Sequence, residues 1–105
     1  MFADVKIFGK IVRNPTVGET KSRLLYAKFP FLTDSNFVND DGHQKQILME
    51  VIAWDRQAEN IVKYCKEGSK IVVTGIISEL SIIEKKDGSP FPKLTITLEK
   101  FKFVK

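Results

Sequence analysis

The chain holds one histidine, one cysteine and one tryptophan, so chemistry built on any of these side chains has a single candidate. His43 stands in a polar stretch with no partner at triad or metal-ligand spacing, which reads as a solvated loop residue. Cys65 cannot form an internal disulfide. It falls on an apolar helical stripe, where a thiol packs rather than reacts. Asp40-Asp41-Gly42 resembles a calcium-loop fragment but lacks the remaining acidic positions, so it reads as a turn. No glycine-rich phosphate loop precedes a helix, and no Cys/His cluster offers metal ligands. The expectation is a protein that is not an enzyme and uses no metal, cofactor or small-molecule substrate. Lys and Arg number 17 against 13 Asp and Glu, a net charge of +4. That balance suits a polyanionic partner without requiring one.

The elements that position the remaining candidates centre on Ile47 to Gly75. Ile47-Leu-Met-Glu-Val-Ile-Ala-Trp54 is rich in β-branched residues and predicts a strand buried on at least one face. Alternation puts Met49, Val51 and Ala53 on one side and Leu48, Glu50, Ile52 and Trp54 on the other. Asp55 then offers an N-cap oxygen, and Ala58, Ile61, Val62 and Cys65 form one helical stripe. Gly68 is placed to end that helix in a left-handed conformation. Lys70-Ile-Val-Val-Thr-Gly-Ile-Ile is the next strand, broken at Gly75.

Before this block, Phe2–Val12 predicts a strand with a break or bulge at Gly9, and Asn14-Pro15 with Gly18 a turn. Lys21–Thr33 predicts a second strand, with Leu25, Ala27, Phe29 and Phe31 on one parity. Tyr26, Lys28 and Pro30 take the other, Pro30 marking an edge or the end of regular pairing. Asp34–Gln46 reads as a loop carrying Phe37. After the block, segments 76–86 and 90–104 flank the hairpin signal Asp87-Gly88. The last strand changes apolar phase, from Leu94, Ile96 and Leu98 to Phe101 and Phe103, which predicts a bulge near Glu99–Lys100. Beyond it Lys100, Lys102 and Lys105 share the opposite face.

Five strands with one short helix between the third and fourth predict an all-β OB-fold, a Greek-key barrel; an unrelated small five-stranded barrel is the alternative. The whole chain, residues 1–105, reads as a single domain able to bury roughly 60–65% of its unfolded surface. No run approaches the ~20 apolar residues of a membrane span. Lys6 and Lys10 interrupt anything like a leader peptide.

Several segments also carry a family resemblance. Trp54-Asp-Arg-Gln-Ala-Glu together with Tyr64-Cys-Lys-Glu-Gly-Ser-Lys-Ile-Val-Val-Thr-Gly resembles the signature region of bacterial-type single-stranded DNA-binding proteins. Val5-Lys-Ile-Phe-Gly-Lys-Ile-Val-Arg-Asn-Pro is similar to that family's first strand and turn, and Ala27-Lys-Phe-Pro-Phe-Leu-Thr-Asp to its second strand. Phe29-Pro-Phe-Leu and Val51-Ile-Ala-Trp look most like a divergent, thylakoid-associated branch from cyanobacteria and plastids.

The resemblance implies sequence-independent single-stranded DNA binding in replication, repair and recombination, by base stacking and phosphate pairing. It places Trp54 on a stacking position and Phe37 on a loop position that also stacks, with Leu48 and Ile52 on the same binding surface. Lys6, Lys10 and Arg13 on or beyond the first strand, Arg23 and Lys28 on the second, and Lys85, Lys86 and Lys93 around the hairpin would border the DNA path. Two departures stand out. Leu48, and Ile82 or Ile83, replace large aromatics, and Glu50 stands where the family prefers a basic residue, adding a repulsion toward phosphate. The sequence ends at Phe103-Val-Lys, where housekeeping members continue into a flexible tail with an acidic tip. Either the protein extends further or it is a specialised member without that tail. The resemblance further implies a homodimer or homotetramer joined through first strands or sheet edges, in the cytoplasm (nucleoid) or plastid stroma, without membrane insertion. Nothing in these residues distinguishes DNA from RNA. A different class of function is an adaptor of primosomal type, binding a protein through the barrel face or through Phe91, Phe101 and Phe103.

Overall fold

The computed structural model describes residues 3–38 and 40–104, excluding the side chains of Asn36 and Phe37. Its strands are β1 (Asp4–Ile11), β2 (Thr16–Glu19), β3 (Leu25–Val38), β4 (Gln44–Trp54), β5 (Lys70–Glu84) and β6 (Pro90–Phe103). The helix α1 (Asp55–Tyr64) joins β4 to β5. The sheet order is β1-β5-β6-β4-β3-β2, and an additional β1–β3 pairing closes the ring. Five long strands thus form a barrel whose β4–β6 contact is parallel, with Glu50 opposite Thr95 and Ile52 opposite Thr97. This is the OB-fold architecture that the strand pattern predicts.

Alternation fills the interior. Ala27, Phe29 and Phe31 from β3 and Met49, Val51 and Ala53 from β4 meet Ile11, Ile71, Val73, Ile96 and Leu98, all buried. Phe29 and Phe31 pack edge to face at 5.9 Å between centroids. Ala58 and Ile61 of α1 are fully buried and seal one end, while Gln57 Nε2 donates to the Glu99 carbonyl at 2.8 Å.

Ring closure depends on two close backbone approaches. A Cβ on Gly9 would strike the Leu32 carbonyl and the Phe31 ring, and a Cβ on Gly75 the Thr97 carbonyl. Gly9 therefore serves neither a break nor a bulge: β1 pairs without register shift from Asp4–Ile76 to Lys10–Lys70. Its missing side chain lets β1 cross onto β3 at Lys10–Leu32. The register shifts lie elsewhere. Opposite Thr74–Gly75 the extra residue is Glu99, which accounts for the phase change read in the last strand. Between Ile77 and Glu79 it is Ser78.

Other expectations need correction. The chain has a sixth strand, because β2 pairs with β3 from Thr16–Lys28 to Glu19–Leu25. The turn between them places Arg23 at φ 64, so the second long strand starts at Leu25 rather than Lys21. The loop 34–46 is mostly strand: Asp34 pairs with Gln46 and Val38 with Gln44 across an irregularity. Polar residues fit there because this extended hairpin leaves the core and has no face to bury. Phe37 accordingly belongs to β3; its side chain is outside the described residues, as is Lys105.

Pro30 lies inside β3 but does mark an end of regular pairing on one side. It occupies the gap on β3 between the β2 and β1 pairings, where its carbonyl accepts from Val12 N at 3.0 Å. Asp55 makes no capping bond; it is the first helical residue at φ 50, and Trp54 takes the cap position. Aspartate tolerates that conformation better than most residues. Val62 faces outward, 49% exposed, because the stripe narrows to Ala58, Ile61 and Cys65. Gly68 does adopt φ 90, but three residues beyond the Cys65 cap, in the turn leading to β5. The hairpin loop runs Lys85–Ser89, with Gly88 at φ 86.

Candidate nucleic-acid interface

The outer face of β3 and β4 carries the sequence-predicted site. Leu48, Glu50, Ile52 and Trp54 point outward from β4, opposite Leu32, Pro30, Lys28 and Tyr26 of β3. Leu48 and Trp54 are six positions apart on β4, about 20 Å of strand. Trp54 is partly exposed and therefore not a core residue. It packs against Tyr26 with centroids 5.8 Å apart and planes tilted by 59°. The Tyr26 ring in turn lies over Gly18 of β2, close enough that a Cβ there would meet its hydroxyl. Lys28 Nζ stands 5.2 Å from the Tyr26 centroid, a cation held against a π face.

Beside this row opens a cleft of about 570 Å³. Lys28, Pro30, Leu48 and Glu50 form its floor, Arg13 and Asn14 one rim, and Ile83, Phe91 and Lys93 of the β5–β6 hairpin the other. The Arg13 rim is fixed by backbone contacts. Asn14 Oδ1 accepts from Glu67 N at 2.8 Å, and Gly68 N donates to the Ile11 carbonyl at 2.7 Å. On the opposite rim Lys85 Nζ stands 5.1 Å from the Phe91 centroid. Glu50 is not a free negative charge: Lys93 Nζ lies 3.3 Å from its Oε2. The pair mutes the expected repulsion toward phosphate and occupies one of the cleft's cations.

Of the sequence-derived site residues, the structure gathers Arg13, Lys28, Leu48 and Lys93 around this cleft. Ile52 and Trp54 extend the same face. Lys85 is beside Phe91, whereas exposed Lys86 and Arg23 lie in the hairpin loop and the β2–β3 turn, outside the lining of this cleft. Lys6 and Lys10 line a different hollow with Phe8 and Lys70.

Two aromatics escaped the sequence reading as site residues. Tyr26 was legible by parity, since it shares the outward set with Lys28. The sequence places Phe91 on a protein-binding surface; its pairing with Ile83 and the β4–β6 contact bring it over the cleft.

Among the described residues, three groups with displaced pKa values lie outside this cleft. The His43 amide and ring hold the Asp41 carboxyl below its ordinary range. The Ser89 hydroxyl and amide do the same for Asp87. Burial pushes the Cys65 thiol up to about 11. Among the described residues no group of three or more His, Cys, Asp or Glu is placed to hold a metal ion. No described helix is long and apolar enough to cross a membrane.

A closed barrel with a parallel β4–β6 contact, a helix between β4 and β5, and an aromatic outer face flanked by cations defines the OB-fold class. Within that class the chain belongs to the single-strand binding protein family, whose model matches residues 2–104. It is similar to single-stranded DNA-binding protein 1 of Streptococcus pyogenes, 29% identical over 77 residues, 73% of this chain and 59% of that one. The single-stranded DNA-binding protein of Oceanobacillus iheyensis is 30% identical over 88 residues, 84% of this chain and 54% of that one. The chain thus spans a little over half the length of these relatives. The fold matches the crystal structure of a small single-stranded DNA-binding protein from Streptomyces coelicolor with a TM-score of 0.81 at 12% identity, covering 98% of this chain and 94% of that one.

Proposed function

We propose that this chain binds single-stranded DNA without catalysis and with little sequence preference, in replication, repair and recombination. The observation that carries the reading is the outward row of β4. It presents the Trp54 ring beside Tyr26, with apolar Ile52 and Leu48 along the same strand and Arg13, Lys28 and Lys93 around the adjoining cleft. Unstacked bases need π or apolar platforms, and the backbone needs cations alongside; both lie within one strand's length. Phe37, Arg23, Lys85 and Lys86 join as peripheral contacts, the first through the distal β3–β4 hairpin. The names of the curated relatives support the same reading.

Self-association fits an open stretch of backbone. β1 pairs with β5 from Asp4 to Lys10 but with β3 only at Lys10 and Ile11. At Phe8 the carbonyl accepts from Thr33 Oγ1 at 2.6 Å, so the other edge of residues 4–7 is available to a second copy, whose pairing would cover it and give a homodimer, or a homotetramer built from dimers. The reading puts the protein where single strands are exposed, at the bacterial nucleoid or in the plastid stroma.

Because Trp54 is the sole indole, its fluorescence tests the proposal. Titration with oligo-dT of about 16 nucleotides should quench it at low salt and progressively less at moderate salt. Absence of both quenching and a gel shift overturns the reading, as does binding that salt leaves untouched.

A further inference from the structure

The outer face of β1, β5 and β6 carries a grid of side chains that the stacking face does not use. Cross-strand pairing sets Lys10 beside Lys70, Phe8 beside Val72 and then Lys102, and Lys6 beside Thr74 and then Lys100. Five lysines therefore surround one phenyl ring, and Phe8 is 52% exposed. Two hollows confirm the grouping. One of about 460 Å³ gathers Lys6, Phe8, Lys10 and Lys70; a smaller one of about 70 Å³ joins Lys6 to Lys100 and Lys102. Among the described residues no ion pair involves any of the five. The nearest carboxylate lining the larger hollow, Asp34, is engaged by Gln46 Nε2 at 3.2 Å.

We infer that this face is a second binding surface for the same single-stranded nucleic acid, on which the lysines take phosphates and Phe8 accepts one base. Like charges directly opposite on paired strands, as at Lys10–Lys70, destabilise a sheet. An anion lying between them reverses the sign of that interaction. Two copies packed face to face about a two-fold axis would set five lysines against five, so a polyanion suits the face better.

The surface is also continuous with the stacking row. Leu48 pairs with Leu32, and Leu32 with Lys10. At about 4.8 Å per strand, a nucleic-acid chain leaving Leu48 meets the first lysine after ~10 Å. Short oligonucleotides fill the stacking row alone, and longer ones run on over the lysines.

The inference rests on the single-strand binding proposed above, and the test separates the two. The triple variant Lys70→Gln, Lys100→Gln, Lys102→Gln alters only exposed side chains, and urea unfolding checks its fold. With oligo-dT of about 8 nucleotides its Trp54 quenching should match the wild type. With about 35 nucleotides its affinity at low salt should fall roughly tenfold, and the slope of log K against log salt should shrink by about 2. The Lys→Arg triple variant should restore both. Unchanged affinity and slope for the long oligomer, with normal quenching by the short one, overturn the second surface and leave the stacking site standing. A change of sedimentation without a change of slope also overturns it, by assigning the face to contacts between copies. Failure of the wild type to bind either oligomer removes the underlying reading, and the inference with it.

Discussion

The two outer faces of this barrel share one core but differ in chemistry. The β3–β4 face presents Trp54, Tyr26, Ile52 and Leu48, with Lys28 against a ring and Lys93 bound to Glu50. The β1–β5–β6 face presents a single aromatic and five lysines that make no ion pair among the described residues. Stacking acts at contact distance and is little affected by salt, whereas phosphate contacts release counterions and weaken steeply as salt rises. A barrel that separates the two by strand lets each be altered without disturbing the other. The separation follows from alternation: Phe29 and Val51 hold the first face from beneath, and Ile11, Ile71 and Val73 the second.

The largest effect should come from breaking both faces together. Gly75→Val would push a side chain into the Thr97 carbonyl and Ile96, where β6 coils across β5. A loss of about 3 kcal/mol is expected from such overpacking, read as a lower urea midpoint. Both binding modes should decline in step. Selective loss of one face would break the idea that they share a support.

Cys65, on neither outer face, reports on that support. Burial holds its thiol up to about 11 from an ordinary 9.0. The folded chain therefore keeps this proton after the unfolded chain releases it, so stability falls as pH rises from 9 toward 11. Wild-type and Cys65→Ala unfolding curves should converge or cross within that window, and alkylation of wild-type Cys65 at pH 8 should be slow. Gly75→Val should speed the alkylation.

Trp54→Ala sharpens the comparison next. Stacking contributes ~1–3 kcal/mol per base across single-strand-binding barrels, so affinity should fall about 5- to 150-fold. The salt slope should stay constant, because no cation is removed. A slope that changes with Trp54 would mean that the ring positions the phosphates. Phe91→Ala should cost less, about 1 kcal/mol, since Ile83 remains on that rim and Lys85 loses only its ring partner.

How much of this was readable beforehand depends on what sets each feature. Alternation in 47–54 gave the correct outward set because one buried face fixes strand phase. The Glu99 bulge was visible as a change in apolar parity for the same reason. By contrast, the distal β3–β4 hairpin reads as loop, because residues 34–46 leave no apolar period to detect. Gly9 stands out in the sequence but its role does not, since its neighbour Leu32 is distant in sequence and becomes close only when the ring closes. Asp55 followed the composition of a helix cap, yet the chain leaves β4 at an angle that puts it at φ 50. The Glu50–Lys93 pair and the place of Phe91 over the cleft likewise required β4 and β6 to meet in parallel, a long-range pairing that local residue patterns do not encode.

That ion pair yields the smallest and most discriminating prediction. Glu50 and Lys93 are 3.3 Å apart with side chains 27% and 40% exposed, so their attraction is worth at most ~1 kcal/mol. Phosphate entering the cleft competes with the Glu50 carboxylate for the same ammonium group. Glu50→Gln keeps the size and a carbonyl acceptor but removes the charge. Affinity at low salt should then rise about two- to fivefold, and the salt slope should steepen by ~0.7 as Lys93 gains a phosphate. Lys93→Ala should weaken wild-type binding, because it unmasks the Glu50 charge that the pair mutes, and should abolish the steepening of the slope in the Glu50→Gln background. A double-mutant cycle therefore reads the competition directly. If Glu50→Gln raises affinity without steepening the slope, Glu50 acts on the strand by simple repulsion. The stacking face would then be held back by a misplaced charge rather than by an occupied one.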